Sequence, residues 1–309
     1  MENALLEVDP ETIILTHGGQ SSISLVIQAL MMMGKKGVAI DALAYPGIRY
    51  AVQDQGGVLH GIEMDDQGMM PSALIKQIKK GGIDILFLSA NVLNPMTGTM
   101  SLERRVELAN IARKYDLQII EDDCWGIGPA EFTGFHSICP ERAWYLSSIT
   151  KNVSAGMRFG WLVCPPEHLK AARRVMRISC FGVSRLVSDT VYELMKSGAA
   201  FQVRDRVQAR VADEVTQAVN ILGHWDVSFR KDIPFLWIKL PTGWRASAFA
   251  SACEREGIIV RAADEFALQN AAVPNAVRIT LNTNVPRDAH YKALRKISEL
   301  LNHPPVVEG

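Results

Sequence analysis

The chain has 309 residues, 33 basic against 33 acidic side chains, and 48% hydrophobic residues. That is enough for a large core and a second lobe. The neutral balance, without basic runs, argues against nucleic-acid binding by this segment.

Five cysteines (Cys124, Cys139, Cys164, Cys180 and Cys253) are scattered without CxxC or zinc-type spacing. They read as free thiols of a cytoplasmic protein. The N-terminus has no basic segment leading into an apolar run, so no secretory signal is expected. The apolar stretch 23–33 is too short to span a bilayer and contains Ser24 and Gln28, so it reads as a buried helix.

Short apolar runs alternate with helical patterns from the start. The periodicity predicts a strand over 13–16, a helix over 21–33 ended by Gly34, and a strand over 38–40. A helix opened by Pro46 follows, running to 55, then a strand over 58–64 and a helix over 71–80 stopped by Gly81 and Gly82. Further strands are predicted over 83–89, 118–121, 143–146 and 159–164, with a helix over 102–115. This alternation predicts an α/β fold with a large doubly wound, mostly parallel sheet, which binds ligands beyond the carboxyl ends of its strands. After Cys164 the pattern changes. Helices are expected over 167–178, 184–196 and 201–222, the last with alternating charges. Strands over 235–240, 258–261 and 276–280 and helices over 246–256 and 287–301 make a smaller α+β lobe. The expected division is a large domain over 1–199 and, over 200–309, a long connecting helix with a small C-terminal domain.

Candidate site residues fall just after strands. In YLSSITKNVSAGMRFG, Lys151 follows the hydroxyls of Ser148 and Thr150, and Arg158 comes seven residues later. A partly desolvated lysine favours the neutral amine that attacks a carbonyl. Two hydroxyls and a guanidinium beside it could hold a phosphate. A Schiff-base lysine next to a phosphate clamp suggests pyridoxal 5′-phosphate; the bland alternative is a solvated loop lysine. Gly18, Gly19 and Gln20 lie between a strand and a helix, where free N–H groups suit an anion. Tyr45 precedes Pro46-Gly47 and could lie flat on an aromatic ring or pack on a turn. Asn94 precedes Pro95 and could donate to a phenolic oxygen or make an ordinary turn. Asp122 ends a strand and could keep a pyridine nitrogen protonated. Metal binding is the rival there, but no His lies close in sequence to complete a transition-metal set. Arg278, inside an apolar strand, needs a partner, either a substrate carboxylate or a structural ion pair. The absence of GxGxxG leaves a nicotinamide site unsupported.

The order GGQ, YPG, NPMTG, EDDCW, SITK with Arg158, and RIT resembles fold-type I pyridoxal-phosphate aminotransferases of class I/II across nearly the whole chain. It looks most like the aminotransferase-like domain of MocR-type regulators (GntR family) and like kynurenine/aminoadipate aminotransferases. The resemblance implies that Lys151 forms the covalent link to the cofactor and moves the substrate proton. Asp122 would pair with the pyridine nitrogen. Gly19, Gln20, Ser148, Thr150 and Arg158 would hold the phosphate. Tyr45 would stack on the ring, Asn94 would contact its hydroxyl, and Arg278 with Asn94 would bind the substrate carboxylate. The activity implied is transfer of an amino group between an α-amino acid and a 2-oxo acid in a homodimer. The alternatives are a sensing domain of a MocR-type regulator without its DNA-binding head, and a relative that no longer holds the cofactor. Trp125 stands where the family usually has Tyr, and its indole N–H donates but does not ionise as a phenol does. Met96 lengthens the usual Asn-Pro-Thr-Gly by one residue. The match begins almost at the first sheet strand. The family's preceding segment, which lends a tyrosine to the partner's phosphate site, is therefore expected to be absent.

Overall fold

A computed structural model of the chain describes residues 8–126, 130–268, 273–282 and 285–304. β1 (Ile13–Thr16) leads into α1 (Gly19–Met32), and β2 (Gly37–Asp41) into α2 (Gly47–Asp54). β3 (Val58–Ile62) precedes a small hairpin of β4 (Met64–Asp65) and β5 (Gly68–Met69). Next come α3 (Pro71–Ile78), β6 (Ile85–Leu88), α4 (Leu102–Lys114), β7 (Gln118–Asp122), the single-turn α5 (Phe135–Ile138), β8 (Ala143–Ser148) and β9 (Gly160–Val163). The large sheet has the order β1-β9-β8-β7-β6-β2-β3. From β8 to β3 all neighbours are parallel, and β9 runs antiparallel to both β8 and β1. The sheet is thus mostly parallel, as expected, with one reversed strand. β9 follows β8 after a short connection, and only an antiparallel neighbour can be reached without a crossover.

Every residue of β2 and β6 is buried, because helices cover both faces. On one face α1 and α2 pack through Ile27, Leu30 and Ile48 on Ile40, Phe87, Ile120 and Leu146. On the other, Leu74, Leu108 and Phe135 pack on Leu86, Leu88, Ile119 and Ala143. Strand alternation therefore assigns Asp122 and Ser148 to the α1 face, and Glu121 and Asp123 to the opposite one.

The chain continues through α6 (Leu169–Cys180), α7 (Arg185–Lys196), α8 (Ala199–Leu222), β10 (Val227–Phe229), β11 (Phe235–Lys239), α9 (Ala246–Arg255), β12 (Arg261–Ala262), β13 (Ala276–Thr280) and α10 (Arg287–Asn302). β10-β11-β13-β12 form a second, antiparallel sheet. α8, α9 and α10 cover it through Val215, Phe249 and Ile297.

Three expectations are corrected. α1 starts at Gly19 rather than 21, because Gly18 turns the chain into the helix at φ 92°. The strand over 58–64 ends at Ile62, and Met64 joins the β4–β5 hairpin instead. The strand over 258–261 shrinks to Arg261–Ala262. Ile258 bonds back to the Cys253 carbonyl at the end of α9, and Ile259 is left 76% exposed. No helix among the described residues is long and apolar enough to cross a membrane.

Candidate active site

The N-terminus of α1 has no side-chain cap, so its first N–H groups, including those of Gly19 and Gln20, have no partner within the helix. Three other segments converge there. Ser148 is the buried last residue of β8, Thr150 lies in the following turn, and Arg158 stands just before β9 at φ 48°. The Arg158 guanidinium donates to the His17 carbonyl at 3.3 Å. A methyl group on Gly18 would lie 3.1 Å from Arg158 Nη2 and 3.4 Å from Thr150 Oγ1, and one on Gly19 would collide with Cys124 Sγ. The glycines thus leave a concave space ringed by backbone N–H groups, two hydroxyls and a guanidinium. Thr150 Oγ1 is buried without a hydrogen-bond partner among the described residues. This donor set fits a phosphate group.

Lys151 sits in the same turn. The residue as a whole is exposed, but its Nζ lies 4.5 Å from the centre of the Trp125 ring. Desolvation of the amine holds its ammonium below the usual lysine range. Arg278 and Arg158 push the same way, while Cys124 and Asp122 oppose. Burial and the neighbouring Asp122 carboxyl push the Cys124 thiol well up, so it is uncharged at neutral pH and its opposition vanishes. Asp122 accepts from the Cys124 N–H at 3.0 Å. Burial raises its carboxyl, partly offset by that N–H and by Lys151.

Tyr45 packs over Gly47, whose carbonyl accepts from the Gln20 side chain at 3.1 Å. Burial raises its phenol, helped by Asp122 and opposed by Arg158 and Arg278. Arg278 Nη1 donates to Asn94 Oδ1 at 2.6 Å, and its guanidinium lies 5.2 Å from the Phe235 ring and 4.9 Å from Phe266. Desolvation holds it at about 10, with Arg261 acting in the same direction. Among the described residues Arg278 forms no ion pair, so the structural salt bridge considered from sequence is not what partners it. The structure thus brings Gly19, Gln20, Tyr45, Asp122, Ser148, Thr150 and Arg158 together around the N-terminus of α1, with Lys151 against Trp125 and Arg278 against Asn94 beside them.

Sequence reasoning missed what supports that crevice from behind. Arg105 and Glu121 are fully buried with Nη1 and Oε1 3.8 Å apart. Arg105 Nη2 donates to Asn91 Oδ1 at 2.8 Å, and Asn91 Nδ2 donates to Asp123 Oδ1 at 2.9 Å. The Tyr145 hydroxyl donates to Asp123 Oδ2 at 2.7 Å. Burial pushes the Glu121 carboxyl to about 7 and that of Asp123 to about 6. The only sequence signal was the run Glu121-Asp122-Asp123, whose alternation sends the outer two acids to the far face. A cavity of about 420 Å³ on that face is bordered by Asp123, Tyr145, Trp161 and Phe201; Ile149, Asn152 and Val153 reach it from the turn that carries Lys151, which does not itself line it. No group of three metal-binding side chains occurs among the described residues.

The chain is 26% identical to the 2-aminoadipate transaminase of Thermus thermophilus over 310 residues, covering 95% of this chain and 76% of that protein. It is 24% identical to the uncharacterized HTH-type transcriptional regulator YdeF of Bacillus subtilis, covering 89% of this chain. It spans only 60% of that regulator's length. Among solved structures, an archaeal alanine:glyoxylate aminotransferase superposes with a TM-score of 0.85 at 25% identity, covering 97% of this chain and 77% of that one. The family model for aminotransferase class I and II matches residues 2–297, and the chain belongs to that family.

Proposed function

We propose that the protein binds pyridoxal 5′-phosphate through Lys151 and transfers an amino group from an α-amino acid to a 2-oxo acid. The observation that carries this reading is the convergence on one crevice of a desolvated lysine, an uncapped helix N-terminus with Thr150 and Arg158, and Arg278. When bound, the cofactor supplies a carbonyl that exchanges amino groups and a ring that accepts electron density. Gly19, Gln20, Ser148, Thr150 and Arg158 would hold its phosphate, and Asp122 would keep a proton on its ring nitrogen. Tyr45 would lie against the ring. Lys151, once released from covalent attachment, would take the proton from substrate Cα and return it elsewhere. Arg278, oriented by Asn94, would grip the substrate carboxylate.

A second reading is a domain that binds cofactor and amino acid without turnover. The similarity to an HTH-type regulator over 89% of this chain favours it. Visible spectra of the protein with pyridoxal phosphate, before and after adding amino acids, separate the two. Loss of the cofactor band toward the pyridoxamine form is the result expected of an aminotransferase. A band that shifts but persists supports the sensing domain.

A further inference from the structure

Lys151 and Arg278 each lie on an aromatic face, and the two faces belong to one wall. Nζ of Lys151 is 4.5 Å from the Trp125 ring centre, and the Arg278 guanidinium is 5.2 Å from Phe235. Trp125 meets Phe235 edge-on, with centres 5.1 Å apart and planes at 72°. Phe235 is fully buried at the start of β11 and packs with Val92 and Ile233, so the indole is fixed from the small sheet. Indole offers a cation the most attractive face of any side chain. The other groups acting on Lys151 divide. Arg278 and Arg158 repel its ammonium, Asp122 attracts it, and Cys124 is protonated and neutral.

We propose that Trp125 is a positioning residue for Lys151: its ring face receives the ammonium and keeps the side chain in one place in its charged form. The indole contact then sets the fraction of free amine available at neutral pH. The inference rests on reading Lys151 as the covalent lysine. It gives a role to the tryptophan at a position where a tyrosine would offer a hydroxyl and a weaker face.

The test is competitive acetylation of the full chain with acetic anhydride across a pH series, with no cofactor added. The Lys151 peptide is quantified by mass spectrometry, and Lys170 on α6 serves as the internal reference. Trp125→Leu is expected to shift the Lys151 ionisation curve to lower pH, speeding its labelling at pH 7 roughly threefold to tenfold. Trp125→Phe, which keeps a weaker face, is expected to fall between, and decides alone should the leucine variant not fold. If Trp125 only filled space, its removal would hydrate the amine and move the curve the other way. An unchanged curve, or one shifted to higher pH, overturns the proposal. The labelling needs no cofactor, so the two readings fail separately. Pyridoxal phosphate attached to Lys151 with unchanged curves sinks only this inference, and shifted curves without attachment sink only the proposed function.

Discussion

Gly18 and Arg278 are the two residues on which the crevice is easiest to test. Gly18 has φ 92° and ψ 176°, a conformation nearly confined to glycine, and a methyl group there would press on Arg158 and Thr150. Gly18→Ala is expected to weaken pyridoxal-phosphate binding, measured by titration of the visible band, by about tenfold or more, given a strain of roughly 1–3 kcal/mol. Arg278→Lys removes the planar fork but keeps the charge. It is expected to weaken amino-acid binding about tenfold to a hundredfold, the scale of a charged hydrogen bond, and to leave cofactor binding nearly unchanged. Equal loss of both affinities would mark Arg278 as structural. The parts of the site contiguous in sequence, from Ser148 to Arg158, could be read directly, because one turn brings them together. The pairing of Arg278 with Asn94, 184 residues apart, and the Lys151–Trp125 contact left no local pattern to read.

Strand alternation does the sorting at the scale of elements. β7 sends Asp122 to the crevice and Glu121 to the far face, where it meets Arg105 from α4. Both partners are essentially without solvent exposure. Arg105→Leu leaves a buried carboxyl group without its cation and four backbone carbonyls and Asn91 without their donors. It is expected to cost about 3–5 kcal/mol in urea-induced unfolding. A cost below about 1 kcal/mol would show that the pair contributes little. The long buried strands were legible because helices on both faces leave only apolar runs. β10 was not, being short and partly exposed, so that neither alternation nor an apolar run marks it. The β4–β5 hairpin was absorbed into the strand before it, since its turn through Gly68 is set by a positive φ rather than by residue pattern.

Over the whole molecule, buried acids with raised carboxyls, Asp122 among them, shape the response to pH. Asp41 and Glu121 are pushed to about 7 and Asp123 to about 6, in each case chiefly by burial. Their folded values lie above their unfolded ones, so the unfolded chain releases these protons first as pH rises. Stability is therefore expected to fall between about pH 4.5 and 7 and to level off above that window. Glu121→Gln should make the fall shallower by about one proton, roughly 1.4 kcal/mol per pH unit. A variant with an unchanged slope would contradict this assignment. Apolar side chains on and between α6 and α7 stand open, with Ile178 62%, Phe181 89% and Leu186 78% exposed. We expect a second copy of the chain to cover them. Sedimentation should show a dimer that Leu186→Asp weakens, and a monomer at micromolar concentration would count against it. The most direct measurement remains covalent. The protein is incubated with pyridoxal phosphate, reduced with borohydride and digested, and the modified peptide is identified by mass. The account predicts a pyridoxyl group on Lys151 and its loss in Lys151→Ala. An adduct on another lysine, or one that persists in the variant, would contradict it.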